Sequence, residues 1–241
     1  MTDKYLVRDW IIEKIGENYL IPLLGVYNRF RDIDFKKLPN QFVIKCNHGS
    51  KYTIIVKNKT ELNLTKTELK IERWMNENYA FIFGLELQYR DIQPKIIIEK
   101  YITDITGYLK NYKITCFNGK PSFICLDIDI SPKEKKRNVY NLEWKKLPYK
   151  VNSKYLSFPS PKKSKYLEKM IEFASLLSKN FVYVRVDFYI IEDKIFFDKM
   201  DFTPLSGTED IKPKQFEKKL TSLIKFPKLA YNIDTGEYYK Y

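Results

Sequence analysis

Asn118-Gly119, set between two β-prone runs at 112–117 and 122–128, constrains this chain more than any other feature. Both residues tolerate a positive φ, so the dipeptide suits the two-residue type I′ turn whose twist matches that of antiparallel strands. An antiparallel sheet has to begin here. A second hairpin is predicted where 181–190 and 194–203 flank a tight Glu192-Asp193 turn, and upstream 41–46 and 52–57 read as strands around the polar loop Asn47-His48-Gly49-Ser50-Lys51. Residues 95–102 form a strongly β-prone run. Helices are predicted over 4–14, capped by Asp3 and stopped by Gly16; over 65–77, with Thr65 and Glu68 as a capping box; over 166–177; and over 213–225. Strands gathered into hairpins, with helices between the groups, specify the α+β class. The stretch 22–39, with Pro22, Gly25 and Pro39, reads as a connection, and 131–163, with Lys133, Lys135, Lys136, Arg137 and four prolines, as a long surface excursion able to act as a lid.

With 241 residues and 44% hydrophobic content, the chain can bury one large domain or two small lobes. Cys46, Cys116 and Cys125 are odd in number and match no disulfide framework or zinc spacing, and the first residues do not resemble a leader. The expectation is a cytoplasmic protein. No apolar run approaches the roughly 20 residues needed to cross a bilayer, so any membrane contact is expected to be peripheral, at the inner face. Forty-three basic against 30 acidic residues leave a net charge of +13, which attracts nucleotides, nucleic acid, anionic glycans or an acidic leaflet alike. No nucleic-acid-binding motif accompanies it, and no nucleic-acid partner is expected.

Three constellations can carry chemistry. In Lys45-Cys-Asn-His-Gly-Ser-Lys51, a lysine at a strand end precedes a loop whose Gly49 and Ser50 amides can approach phosphate oxygens, Lys45 supplying the countercharge. His48, the one histidine, is a general base or a turn residue. The second is Arg185-Val-Asp187 facing Asp198-Lys-Met-Asp201 across the hairpin. Alternation puts Arg185, Asp187 and Tyr189 on one face and Lys199 and Asp201 on one face of the neighbour, and paired acids of this kind suit a Mg²⁺ ion carrying ATP phosphates. The third is Ile96-Ile-Ile-Glu99-Lys-Tyr-Ile102, where backbone leaving a sheet edge can pair with a base. Each has a plain structural alternative: a solvated hairpin, a cross-strand salt-bridge ladder and a buried strand.

In this order the three resemble the ATP-grasp superfamily, and the opening Asp3-Lys4-Tyr-Leu-Val-Arg8 looks like its Asp-Lys helix. More narrowly, 38–50, Tyr112-Lys-Ile-Thr-Cys-Phe-Asn-Gly-Lys-Pro121 and Phe202-Thr-Pro-Leu-Ser-Gly207 are similar to the TupA-like family of polysaccharide and teichuronopeptide biosynthesis proteins. The resemblance runs from Asp3 to about Lys225. It implies two small α/β lobes with antiparallel sheets enclosing a nucleotide cleft: residues 1–94 with the N-terminal helices and phosphate loop, and 95–241 with the hinge strand and metal-site hairpin. Lys4, Lys45 and the loop with His48, Gly49 and Ser50 would then hold phosphates, and Glu99, Lys100, Tyr101 and Ile102 the adenine. Asp104 or Asn111 would take the ribose. Asp187 and Asp201 would bind Mg²⁺, and Arg185 would act on the transferred phosphoryl group. Two positions depart from the pattern. Lys51 stands where the family tends to have a second glycine, and Lys199 where ATP-grasp enzymes place a metal-bridging Glu. Three outcomes are open there: Asp201 with Asp187 holding one metal, Asp198 entering through a bulge, or lost phosphoryl chemistry; Lys199 could itself neutralise phosphate.

The function implied is an ATP-dependent ligase of surface-polysaccharide assembly that joins an acidic sugar or glycan to an amine or amino acid through an acyl phosphate. The alternatives are a glycosyltransferase-like protein, for which Asp127-Ile-Asp129 is the one candidate metal motif, and a degenerate protein that binds nucleotide or glycan without turnover.

Overall fold

The computed structural model describes residues 1–103, 109–129, 135–226, 229–232 and 237–240. In chain order its elements are α1 (Val7–Lys14), β1 (Leu23–Tyr27), β2 (Phe42–Cys46), β3 (Thr53–Val56), α2 (Leu64–Asn76), β4 (Ile96–Lys100), β5 (Lys110–Phe117), β6 (Lys120–Asp129), β7 (Lys135–Tyr140), β8 (Lys150–Val151), α3 (Leu167–Ser178), β9 (Tyr183–Ile191), β10 (Lys194–Asp201), β11 (Ile211–Lys212), α4 (Lys214–Leu223), β12 (Leu229–Asn232) and β13 (Glu237–Lys240). Two antiparallel sheets organise them: a small one in the order β1-β4-β2-β3 and a large one in the order β10-β9-β5-β6-β7. This is the α+β arrangement that the hairpins dictate.

Each sheet sorts its residues by strand alternation. In the small sheet Phe42, Ile44, Cys46, Ile96 and Ile98 pack with Ile71 and Trp74 of α2, leaving Val43, Lys45 and Glu99 on the opposite face. In the large sheet Ile114, Ile124, Leu126, Val184, Val186 and Phe188 lie on Met170, Phe173 and Leu177 of α3. Each such side chain contributes roughly 1.5–3 kcal/mol on burial. The other face of the large sheet carries Asn111, Lys113, Arg185, Asp187 and Tyr189, in rows fixed by the pairings Asn111–Tyr189, Lys113–Asp187 and Thr115–Arg185. Toward one end of that polar face a third cluster, Phe123, Cys125, Val139, Phe216 and Leu220, seats α4.

Several expectations need correction. The connection at 22–39 contains β1, which pairs with β4, and the supposed surface excursion contains β7, paired with β6, and β8, paired with β11. β4 lies in the small sheet between β1 and β2, while Val7 and Ile11 of α1 belong to the large core. A division at residue 94 therefore does not follow the sheets. The cap of α2 is Asn63, whose side chain accepts from Lys66 N at 2.9 Å, rather than Thr65. Asp3 does organise the first turn, accepting from Tyr5 N and Leu6 N at 2.7 and 3.1 Å. Asn118 and Gly119 take φ of 49° and 75°, and Glu192 and Asp193 take 47° and 58°, the left-handed pair each tight hairpin requires.

Candidate nucleotide site

The uncovered faces of the two sheets meet across a cleft. One cavity of about 340 Å³ lies at the hinge end, with Val43, Lys100, Tyr101 and Ile102 in its wall, and one of about 380 Å³ lies beyond it, with Lys4, Ser50, Lys51 and Lys199. They share Lys45, Thr53, Glu99, Asn111, Lys113 and Tyr189, so the two form a continuous groove. Its size is that of a small-molecule site.

Local structure fixes the cationic end. Lys45 projects from β2 and pairs with Glu99 of β4 at 2.6 Å, and Arg8 of α1 reaches the same carboxylate at 3.3 Å. Burial opposes charge on Lys45, but Glu99 together with Asp198 outweighs it and the pKa is raised. Asn47 joins three segments: its amide donates to Asp3 at 2.9 Å and to the Gln93 carbonyl at 3.0 Å, and its oxygen accepts from Lys95 N at 2.7 Å. Lys4 thereby sits over the loop, donating to the carbonyls of Gly49 and Asn47. Desolvation, with Lys199 and Lys45 nearby, lowers its pKa to about 8.

The loop itself differs from expectation. His48 does not line the groove; it is buried, with Nε2 donating to the Trp74 carbonyl at 2.8 Å, so it anchors the loop to α2. Gly49 is required by crowding, since a Cβ there would meet the Tyr52 and Tyr79 rings at 2.7–2.8 Å. Ser50 and Lys51 do face the cavity. Lys51 adopts φ 64°, the left-handed conformation that explains why a glycine suits this position.

On the large sheet the charged side chains form a ladder. Arg185 donates to both oxygens of Asp187, at 2.7 and 2.8 Å, and to Asp201 at 2.9 Å; Lys199 donates to the same Asp201 oxygen at 3.0 Å. Burial opposes ionisation of Asp201, but Lys199 and Arg185 hold it down to about 2. Farther along, Asp127 takes Lys113 at 2.6 Å and Arg137 at 2.6 and 2.8 Å, and Arg137 reaches Glu209 at 2.9 Å. Asp127, expected on a solvated face or at a metal, is thus buried between two cations; the side chain of its companion Asp129 lies outside the described residues, as does Asp104. The register slips between Phe197 and Lys199, and this bulge turns Asp198 into the groove beside Lys199. Asp198 accepts from Asn111 at 3.3 Å and bonds the Tyr189 side chain. Arg8, Lys113 and the pairing role of Glu99 went unseen in the sequence; alternation along β4 and β5 is the signal that would have found the last two.

Magnesium was expected between Asp187 and Asp201. Asp187 is wholly buried with both oxygens on Arg185, one Asp201 oxygen serves two cations, and Lys199 stands opposite Asp187 in register. Mg²⁺ needs free oxygen ligands in near-octahedral array, and among the described residues no group of three or more His, Cys, Asp or Glu could hold a metal ion. This donor set does not fit the ion.

Two antiparallel sheets closing on a lysine-lined groove define an ATP-grasp fold, and solved structures agree. D-alanine–D-alanine ligase from Bacillus anthracis, complexed with ATP, shares the fold at TM-score 0.54 and 16% identity over 92% of this chain and 64% of the ligase chain. A second structure of that ligase gives 0.54 and 17%, over 92% and 66%. The chain therefore spans about two thirds of those enzymes. No curated protein matches it in sequence. The family can be stated more narrowly. The sequence model of the TupA-like ATP-grasp family matches residues 1–225, and the chain belongs to that family.

Proposed function

We propose that the protein binds ATP in the groove and uses it as a carboxylate–amine ligase in surface-polysaccharide assembly. The observation that carries ATP binding is the convergence of Lys4, Lys45 and Lys199 on one cavity, a concentration of like charge that adds to desolvation in lowering the Lys4 pKa and that a polyphosphate would relieve. Adenine then falls at the hinge end, against Val43, Tyr101 and Ile102. Asn111 is the ribose partner, because it lines both parts of the groove and its Oδ1 has no hydrogen-bond partner among the described residues. A separate cavity of about 290 Å³ continues past Arg185 toward α4, with Arg137, Tyr183, Phe202 and Glu209 in its wall, and supplies room for the acid.

In this reading a substrate carboxylate oxygen attacks the γ-phosphorus and ADP leaves. The amine nitrogen then attacks the acyl carbon, phosphate departs, and the nitrogen loses a proton. Lys45 and Lys199 supply the positive charge that the leaving phosphates need, and Arg185 borders the acid cavity. The polysaccharide setting rests on the family. Calorimetric titration of ATP should give saturable binding that Lys45→Met weakens by about tenfold, the worth of one charge-assisted contact. Phosphate release that needs both an acidic sugar and an amine would establish the ligase. Absence of any nucleotide binding would end the reading.

A peripheral membrane contact belongs to the same proposal. Phe81, Ile82, Phe83, Leu85 and Leu87 are exposed in one short segment, Phe83 at 66% and Leu85 at 73%. Ser206 donates to the Phe83 carbonyl at 3.2 Å, which sets exposed Leu205 beside them. No helix among the described residues is long and apolar enough to span a membrane, but an apolar strip on a chain of net charge +13 suits an anionic bilayer surface. Co-sedimentation with phosphatidylglycerol vesicles, weak with phosphatidylcholine and lost in Phe83→Ser/Leu85→Ser, is the expected result. Equal sedimentation of the double variant would refute the contact.

A further inference from the structure

We propose that Lys199 acts as a built-in cation where a divalent ion would otherwise bridge protein and phosphates, so that nucleotide binding to this groove does not depend on Mg²⁺. The inference rests on reading the groove as an ATP site, and goes beyond it by assigning how the phosphate charge is met.

Position is the first argument. Lys199 projects from β10 into the phosphate end of the groove, its side chain 30% exposed and its ammonium 3.0 Å from Asp201. That carboxylate is held by Arg185, and Arg185 by Asp187. The lysine is therefore the outermost member of an alternating row of charges in which Arg185 and Asp187 are buried and Asp201 is half-buried, and it is oriented before any ligand arrives. A cation fixed in advance loses little freedom on binding. Burial disfavours its charge, but Asp201 together with Asp187 and Asp198 outweighs that effect and raises the pKa, so it carries its proton through the neutral range.

Charge balance is the second. Lys4, Arg8, Lys45, Lys51, Lys113 and Lys199 border the phosphate end against the carboxylates of Glu99 and Asp198. Glu99 is already shared by Lys45 and Arg8, and Lys113 and Lys199 are backed by Asp127 and Asp201, so the six cations still exceed the four carboxylates. The surplus of cations suits a metal-free triphosphate, whereas a divalent ion beside Lys199 would add like charge where the side chains already repel. Asp198, turned inward by the bulge, is one carboxylate among these cations and is engaged by Asn111 and Tyr189.

The test is calorimetric titration of ATP into the wild-type protein in EDTA and in excess MgCl₂. Dissociation constants within about threefold of each other are expected, and Lys199→Met should weaken binding about tenfold in EDTA, the worth of one charge-assisted contact. In Lys199→Glu, which restores a carboxylate, binding should fail in EDTA and return in part with Mg²⁺. A wild-type protein that binds ATP only with Mg²⁺ overturns the inference while leaving the ATP reading intact. Binding in neither condition overturns the reading and the inference with it. An unchanged affinity of Lys199→Met in EDTA, with thermal unfolding confirming the fold, removes Lys199 from the role.

Discussion

Asp187→Ala is expected to lose about 3–5 kcal/mol of folding stability, because it strands Arg185 in the protein interior without its bidentate partner. Asp187 is 0% exposed and Arg185 7%, so water is a poor replacement for the lost contacts at 2.7 and 2.8 Å. Asp201, 2.9 Å from the same guanidinium, cannot compensate alone, since the oxygen that meets Arg185 is shared with Lys199. Asp201→Ala should cost less, as it leaves the bidentate pair in place and its own carboxylate is nearer to solvent. The measurement is a urea denaturation midpoint at unchanged slope, without nucleotide. A loss for Asp187→Ala below about 1 kcal/mol would show that the pair is solvated and that the ladder is not a structural unit. The converse substitution sharpens the point: replacing Arg185 and Asp187 together with apolar residues should recover much of the loss, because a buried pair is costly chiefly when broken. It follows that weakened ATP binding in Asp187→Ala says nothing about a metal until the fold has been checked, and Lys199 is the better place to ask that question.

The parts of the molecule that could be read from sequence are those where local chemistry and tertiary packing agree. Asn118-Gly119 demanded left-handed backbone and has it; α3, expected over 166–177, occupies Leu167–Ser178 because its apolar positions repeat at helical spacing along the large sheet. Lys45 and the order of the charged hairpin were legible for the same reason. β7 was not, since Arg137 and Asn138 are polar yet buried, their burial made tolerable by Asp127, Glu209 and the Phe158 carbonyl, all distant in sequence. Polarity there mimics a loop. Asp198 escaped strict alternation because a bulge breaks the period of two. His48 could be placed on a turn, but its hydrogen bond to a helix 26 residues on is a property of the assembled lobe. Glu99 was read for its backbone, and only the facing of β2 and β4 reveals that its side chain holds Lys45. What sequence withholds, in each case, is the partner that makes a buried charge stable.

ATP affinity should fall as the pH rises above about 8, and Lys4 should be the cause. Burial, then Lys199 and Lys45, bring its pKa down to about 8, against the smaller opposing influence of Asp198 and Cys46. Among its charged neighbours, Lys45 and Lys199 have raised pKa values, and burial pushes the Cys46 thiol up to about 12, so Lys4 is the group that titrates first. Bound phosphate favours the ammonium, and the complex therefore holds more protons than the free protein. Binding near pH 8 is accompanied by proton uptake, and affinity should be about tenfold weaker at pH 9 than at pH 7. Stability of the free protein moves the other way. Between about 8 and the ordinary lysine value the unfolded chain keeps the Lys4 proton that the folded chain has released, so this residue's contribution to stability rises with pH over that window. Opposite signs for affinity and stability separate a site effect from general alkaline unfolding. Titrations in buffers of different ionisation enthalpy read the proton directly: uptake should appear for wild type near pH 8 and vanish in Lys4→Met, whose affinity should be lower at pH 7 and level from pH 7 to 9. Proton uptake that persists in Lys4→Met would move the titration to another group and detach Lys4 from the phosphates.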